Sequence, residues 1–467
     1  MTSARSGCRV QVRTGAWYGD RPLTLEFPAQ WDVTVLWPRT PPRLTDAGIR
    51  AGLEQPVGQR PIRELCRGSV RPLVIVDDLN RPTPAARIMP ALLRQLSDGG
   101  IPAHQVTILM AGGSHGASPA EACKQKIGRE AARACRFLVH DPRRDTVLVG
   151  TTSLGTPVLV NREVLAADFV VGIGGIYPNH TAGFGGGSKL LIGALDLRVI
   201  SYLHHRYASV GWGGAGMESD FRRDLDEIAR MIRLQCVISA HVDADRELVR
   251  LVSGDPQVYY RQEVAFARDA FRAPPPDGAD VVIANAFPND LSVTFVFKKG
   301  DFPLRCCAPG SSRVAIAACS EGEGAHAIYP VVGVPILHEL RDRLGRLSLL
   351  PPREIAAKLA RRLRWVPAPP AGAPPQARAV LAPALALREA RPVWLFRTSP
   401  EPAAPTVPRE ARLVHAWSEA IHAVRREQGA GHRLRVLVYP CAPLQVLDEG
   451  HSSAGIDADR AISRETR

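Results

Sequence analysis

Lysine is scarce in this chain. Among its 59 basic residues only Lys124, Lys126, Lys189, Lys298, Lys299 and Lys358 are lysines. Lys189 closes a glycine-dense stretch, Tyr177-Pro178-Asn179-His180-Thr181-Ala182-Gly183-Phe184-Gly185-Gly186-Gly187-Ser188-Lys189, with a histidine near its other end. A primary amine can lose its proton and attack an electrophile, which a guanidinium cannot, so this lysine is a candidate nucleophile. A nucleotide phosphate loop is excluded, because that pattern needs Ser or Thr after the lysine to hold magnesium and Leu190 follows here. A second chemical pair is Asp78 and Arg81, three residues apart. The planar fork of Arg81 can pair with both oxygens of a carboxylate, and Asp78 can orient it or touch a bound group. The structural alternative for the pair is an ion pair capping the helix expected over Ala85–Met89.

The elements that must position these groups are legible as apolar runs. Phe169–Ile173 reads as a buried strand entering the glycine stretch, and Leu190–Ile192 resumes regular structure after it. Chemistry at the carboxyl end of a strand is the usual arrangement in open α/β sheets. Further strands are expected at Leu73–Val76, Val106–Ala111, Thr146–Val149 and Cys236–His241, with helices between them such as Phe221–Leu234. The alternation predicts an α/β protein. A Pro- and Gly-rich break at Arg272–Gly278 precedes a second alternating unit that starts at Val281–Ala284. That unit is expected to finish as a strand at Val393–Phe396, a helix over Ala411–Arg425 and a strand at Arg435–Tyr439. The expected organisation is therefore an N-terminal α/β domain over residues 1–272 and a C-terminal α/β domain over residues 279–445. Mixed or parallel sheets flanked by helices make up both, and the active site lies in the cleft between them. A proline-rich exposed loop at 367–376 and a disordered tail at 446–467 complete the reading.

Several motifs together resemble the lactate racemase family that carries a nickel-pincer nucleotide. Asp78-Leu79-Asn80-Arg81-Pro82-Thr83-Pro84 is similar to the family's D-x-T-R-P-T-P, and Gly112-Gly113-Ser114-His115 to its small-small-small-His. The glycine stretch resembles H-x-x-A-G-F-S-G-G-x-K. Gly150–Val158 and Cys319-Ser320-Glu321-Gly322-Glu323-Gly324 are family-like too. The resemblance runs from about residue 70 to about residue 330, more than half the chain.

What the resemblance implies is racemisation or epimerisation of a small 2-hydroxy acid by reversible hydride transfer. The implied cofactor is a pyridinium-3-thioamide-5-thiocarboxylate mononucleotide carrying nickel, tethered to Lys189 and cradled by Asp78, Gly186 and Gly187. One histidine completes the square-planar nickel site, and His204 and His205 both match. Imidazole and soft sulfur donors suit that metal. The implied catalytic bases are His115 and His180, histidine being matched to proton transfer near neutral pH. Aligned on Ala182-Gly183-Phe184, the family histidine falls on Asn179, one residue before His180, so both positions stay open. Arg81, Lys298 and Phe295 are the implied substrate-binding residues. The chain departs from the family where Thr294-Phe295 replaces Tyr-Gln, and the family's active-site tryptophan near the later helix has no convincing counterpart around Ile355–Ala357. Phe295 in place of an amide implies a substrate with an apolar side chain. The contrasting possibility is an altered relative that serves as a binding or accessory protein.

Composition bounds the other classes. A formal charge of +13 would allow nucleic-acid binding, but the arginines are dispersed and no nucleic-acid module is present. The charge instead suits an anionic substrate and cofactor, with cofactor-biosynthesis proteins as the other implied partners. No apolar run is long enough to span a membrane, and the start lacks a signal-peptide core, so a cytoplasmic location is expected. Nine cysteines without a paired C-x-x-C framework read as reduced thiols. No G-x-G-x-x-G follows the first strand, which argues against a nicotinamide dehydrogenase.

Overall fold

The structure, a computed structural model, describes residues 8–116, 118–207, 210–214, 218–328, 391–400, 404–429 and 431–448. It is a mixed α/β fold built on two six-stranded sheets. In the first, the order is Leu248–Gly254, Leu234–Val242, Phe169–Gly175, Pro72–Asp77, Thr107–Ala111 and Arg136–Val139. All pairings are parallel except that of the Leu248–Gly254 edge. A parallel sheet must be covered on both faces, and the residues obey this by alternation. Val74, Val76, Ile108, Met110, Val171 and Ile173 enter one apolar cluster. Leu73, Ile75, Leu109 and Val170 enter the other.

From Pro72–Asp77 the chain builds outward in one direction and then returns to build in the other, beginning with Phe169–Gly175. The carboxyl ends of these two adjacent strands thus flank a topological switch point, where open sheets bind ligands. The Asp78–Arg81 turn and the glycine stretch emerge there.

The second sheet is wholly parallel, ordered Ala411–Val414, Val393–Arg397, Ser312–Ala317, Val281–Asn285, Arg435–Tyr439 and Asp32–Val35. Its switch point falls at Val281–Asn285, and the residues just beyond that strand join it to the first half. Asn289 makes that junction by donating to the Asn80 carbonyl at 2.7 Å, while buried Asp290 anchors the N-terminal hairpin, accepting from the Gly15 and Ala16 amides at 2.7 and 3.1 Å.

Three boundaries differ from expectation. Residues 9–35 belong with the second sheet, because the hairpin Arg9–Thr14 and Arg21–Glu26 lays Val10, Val12, Leu25 and Phe27 on its face and Asp32–Val35 forms its edge. Ala411–Val414 is a strand, and the helix begins only at Trp417 and runs to Gln428. The tail does not start at 446, since Val446–Leu447 pairs with Arg272–Ala273. The 367–376 loop, Ile355–Ala357 and residues 449–467 lie outside the described residues. No helix among the described residues is long and apolar enough to cross a membrane.

Candidate active site

The turn after Pro72–Asp77 is held by a buried lysine. Lys126, on the helix Ala120–Ile127, pairs with the Asp77 carboxylate at 2.7 Å and donates to the carbonyls of Asp78 at 2.5 Å and Arg81 at 2.8 Å. Thr83 donates to the other Asp77 oxygen at 2.6 Å. With its backbone pinned, the turn presents Asp78 and Arg81 at the carboxyl edge. Neither forms the helix-capping ion pair, and the helix Ala85–Asp98 starts without a side-chain cap.

Asp78 instead meets His115, whose Nδ1 lies 2.6 Å from its Oδ2, while Asn80 donates to the same oxygen at 2.8 Å. Burial opposes the charge on Asp78. The His115 ring, Arg81 and these hydrogen bonds outweigh that penalty and hold the carboxyl below the usual range. Burial also lowers His115 from its ordinary value, against the pull of Asp78. An ionised Asp78 makes Nδ1 the protonated nitrogen of His115 and Nε2 its lone-pair nitrogen, the arrangement of an oriented base.

The glycine stretch folds back on the first sheet and places Lys189 in a buried turn. Gly186 has φ +81°, and a Cβ there would lie 2.6 Å from Ile176. Gly193 lets the following turn approach the Thr107–Ala111 strand, since a Cβ would sit 2.3 Å from the Ala111 carbonyl. Gly187, with φ +58°, packs against Tyr260. Arg222 clamps the stretch from the helix Asp220–Met231, donating to the Gly186 and Phe184 carbonyls at 3.0 Å each and to the Tyr260 hydroxyl. Lys189 Nζ lies 5.5 Å from the centre of the Phe221 ring. Burial, then the positive charges of Arg81 and Arg222, push its amine well below the ordinary lysine value. The position fits a neutral, nucleophilic amine.

The two candidate metal histidines lie on the helix Leu197–Arg206. Successive helical side chains diverge by about 100°, so only one can face Lys189. His204 packs on the same Phe221 ring at 5.6 Å, and its Nδ1 is 2.8 Å from the Ile200 carbonyl, which makes Nε2 the lone-pair nitrogen. Burial and then the charge of Lys189 lower it to about 3. His205 turns to the Ser201 hydroxyl, 3.1 Å away. Among the described residues, no group of three or more His, Cys, Asp and Glu is arranged to hold a metal. A metal at His204 would need donors from a bound group.

His180 projects toward the second half. Its ring lies against the stacked pair Trp212, at 4.9 Å, and Phe302, at 5.9 Å, and Arg305 donates to its Nε2 at 3.1 Å. Burial and then the Arg305 charge lower it to about 3. Asn179 does something else: its side chain accepts from the Ala182 amide at 3.0 Å and closes the turn.

The second half supplies Phe295, Lys298 and Lys299 from a short helix, Val293–Phe295, and the π-turn Val296–Gly300. Phe295 is buried and meets His115 edge-on at 4.9 Å. Burial and then Arg305 lower Lys298 to about 8. Sequence reasoning singled out Lys298, yet it is Lys299 whose charge acts on His115 and is acted on by Arg81, Asp78 and Lys189. It also missed His326, whose ring lies 5.3 Å from His115 and whose segment pairs with Ser114–Gly116. For Lys126 and Lys299 a signal existed in the scarcity of lysine; for His326 there was none.

Residues 18–212 match the model of the lactate racemase N-terminal domain. The lactate racemase of Thermoanaerobacterium thermosaccharolyticum is 26% identical over 294 residues, covering 60% of this chain and 67% of that protein. That of Lactiplantibacillus plantarum is 25% identical over 289 residues, covering 60% and 68%. The solved lactate racemase apoprotein from T. thermosaccharolyticum superposes with a TM-score of 0.64 at 19% identity, over 94% of this chain and 100% of that one. A protein of known structure from Thermotoga maritima gives 0.52 at 14% identity, over 88% and 100%. The two structures share the fold. The matched domain, the two relatives and the shared fold together support a divergent member of the lactate racemase family.

Proposed function

We propose that this divergent member of the lactate racemase family racemises or epimerises a small 2-hydroxy acid in the cytoplasm, using a nickel-pincer nucleotide delivered by cofactor-biosynthesis proteins. The observation that carries the reading is the convergence of an oriented base, His115 on Asp78, with a buried, neutral-leaning Lys189 beside His204 at one sheet edge. The residues fit the group: Lys189 would tether it, His204 would supply the protein's nickel ligand, and Arg222 would balance its anionic substituents. When bound, the group supplies a reversible hydride acceptor.

The chain's own residues perform the remaining work. Arg81 clamps the substrate carboxylate with its planar fork. His115 Nε2 takes the C2 hydroxyl proton, while Asp78 keeps the other ring nitrogen protonated and stabilises the imidazolium that forms. Its return of the proton completes the turnover of one enantiomer. His180, on the glycine stretch, would serve the opposite enantiomer, and Phe295 covers the His115 ring edge-on. Lys298 adds positive charge near the carboxylate below about pH 8. The Arg305 bond to the His180 nitrogen is the one observation that favours a catalytically altered relative acting as a binding protein.

The test is to purify the protein from cells that make the pincer nucleotide. Intact mass, nickel content and interconversion of enantiomeric 2-hydroxy acids are then measured. A mass increment on one lysine with about one nickel per chain and interconversion supports the proposal. Unmodified protein without nickel under those conditions refutes it.

A further inference from the structure

Beside His115, on the side contributed by the second half, is a cavity of about 240 Å³ lined by Asn80, Gly116, Ser292, Phe295, Glu321, Gly324 and Ala325. None of its lining comes from the glycine stretch or from the helix that carries His204, so it is separate from the place assigned to the cofactor. Phe295 forms the wall shared with His115. Asn80, Ser292 and Glu321 bring polar groups to the lining beside Phe295, Gly116, Gly324 and Ala325.

Two of those polar groups are unsatisfied. Asn80 and Ser292 are 2% and 0% exposed, and neither the Asn80 Oδ1 nor the Ser292 Oγ has a hydrogen-bond partner. Buried polar atoms in native proteins are satisfied by protein, water or ligand. Asn80 spends its amide nitrogen on Asp78, so what remains is an acceptor that requires a donor. Ser292 can give or take. Glu321 receives the Tyr18 hydroxyl at 2.9 Å, and burial raises its carboxyl to about 7, so it too can accept or donate.

A ligand that meets this lining must bring hydroxyl groups. A phenyl ring satisfies none of the polar atoms. A second carboxylate offers no donor to Asn80 and confronts Glu321 and Asp78. Resting on the 2-hydroxy acid reading above, we infer that the cavity takes the distal end of a polyhydroxylated 2-hydroxy acid, whose hydroxyls on C3 and beyond are held by Asn80, Ser292 and Glu321.

The test uses two acids with the same carbon chain, 2,3,4-trihydroxybutanoate and 2-hydroxybutanoate, titrated calorimetrically into protein purified from cells that make the cofactor. The trihydroxy acid should bind about tenfold or more tightly. Ser292→Ala and Glu321→Ala should each remove most of that preference while moving the affinity for 2-hydroxybutanoate by less than about twofold. Equal affinities, absence of trihydroxybutanoate binding, or a preference untouched by both substitutions overturns the assignment. Tighter binding of 2-hydroxysuccinate or phenyllactate also overturns it. Chiral analysis of the same mixtures separates the two readings. Tight binding of the trihydroxy acid without interconversion at C2 keeps the cavity assignment and sinks the racemase reading. Interconversion of 2-hydroxybutanoate with no preference for the hydroxylated acid does the reverse.

Discussion

Replacing Lys126 by Met tests whether the Asp78–Arg81 turn depends on a buried charge. The side chain has no exposed surface, pairs with Asp77 at 2.7 Å and donates to two carbonyls of the turn. Methionine keeps most of the stem and deletes the ammonium, leaving Asp77 with the Thr83 hydroxyl. Removing one partner of a buried pair costs about 3–5 kcal/mol, because the other charge stays buried. The orphaned carbonyls add about 1 kcal/mol each, less whatever the shared network makes non-additive. A loss of about 4–6 kcal/mol in urea unfolding is expected, a large share of ordinary domain stability. The loss should depend on pH with a definite sign. Burial already raises the Asp77 carboxyl, and Lys126 is the main influence pulling it back. Without Lys126 its folded-state value climbs further above the unfolded one. A carboxyl with a raised folded-state value is penalised increasingly as pH rises between those two values, so the deficit should be smaller near about pH 5 than near about pH 8. Adding Asp77→Asn should recover much of the loss. A deficit under about 1 kcal/mol, or one flat in pH that Asp77→Asn leaves unchanged, would refute the reasoning.

Lys189→Met should abolish the covalent mass increment yet leave the melting temperature unchanged or higher, since it removes a buried amine whose charge burial, Arg81 and Arg222 all oppose; a retained increment on mass spectrometry contradicts this. His204→Ala should lose nickel in metal analysis while His205→Ala keeps it, because only His204 shares the Phe221 ring with Lys189. His180→Ala should slow racemisation in both directions by about a hundredfold or more, whereas Asn179→Ala should cost only turn stability; the opposite pattern moves the second base to Asn179. Lys298, lowered to about 8, carries its charge below that pH and loses it above. KM for a 2-hydroxy acid should therefore rise above about pH 8 in the parent and stay flat to about pH 10 in Lys298→Arg, an identical rise in both variants being the contrary result.

The first sheet was legible because its strands are buried on both faces and read as unbroken apolar runs. Phe169–Ile173 and Leu73–Val76 differ from the observed strands by only one or two residues at an end. The N-terminal hairpin was not, since nothing local in Val10, Val12, Leu25 and Phe27 says which of two sheets they will cover. Ala411–Val414 failed for a related reason: a short alternating strand next to a helix is absorbed into the helical pattern until its parallel neighbour, Val393–Arg397, is known.

Within the site, lysine scarcity was the most informative signal, and it flagged more than could be assigned. Lys126, Lys189, Lys298 and Lys299, four of the chain's six lysines, gather around the Asp77–Arg81 turn and the π-turn facing it. Sequence cannot say which of them is a strut and which is a reagent, because that depends on whether a carboxylate is in reach. Lys126 has Asp77 at 2.7 Å, which consumes its charge, so its role is to hold a backbone. Lys189 is instead buried beside two arginines, and burial together with the charges of Arg81 and Arg222 denies it a proton and makes its amine available for bond formation. The same residue type serves opposite ends of one loop system because burial with a counter-ion fixes a lysine's charge, while burial without one removes it.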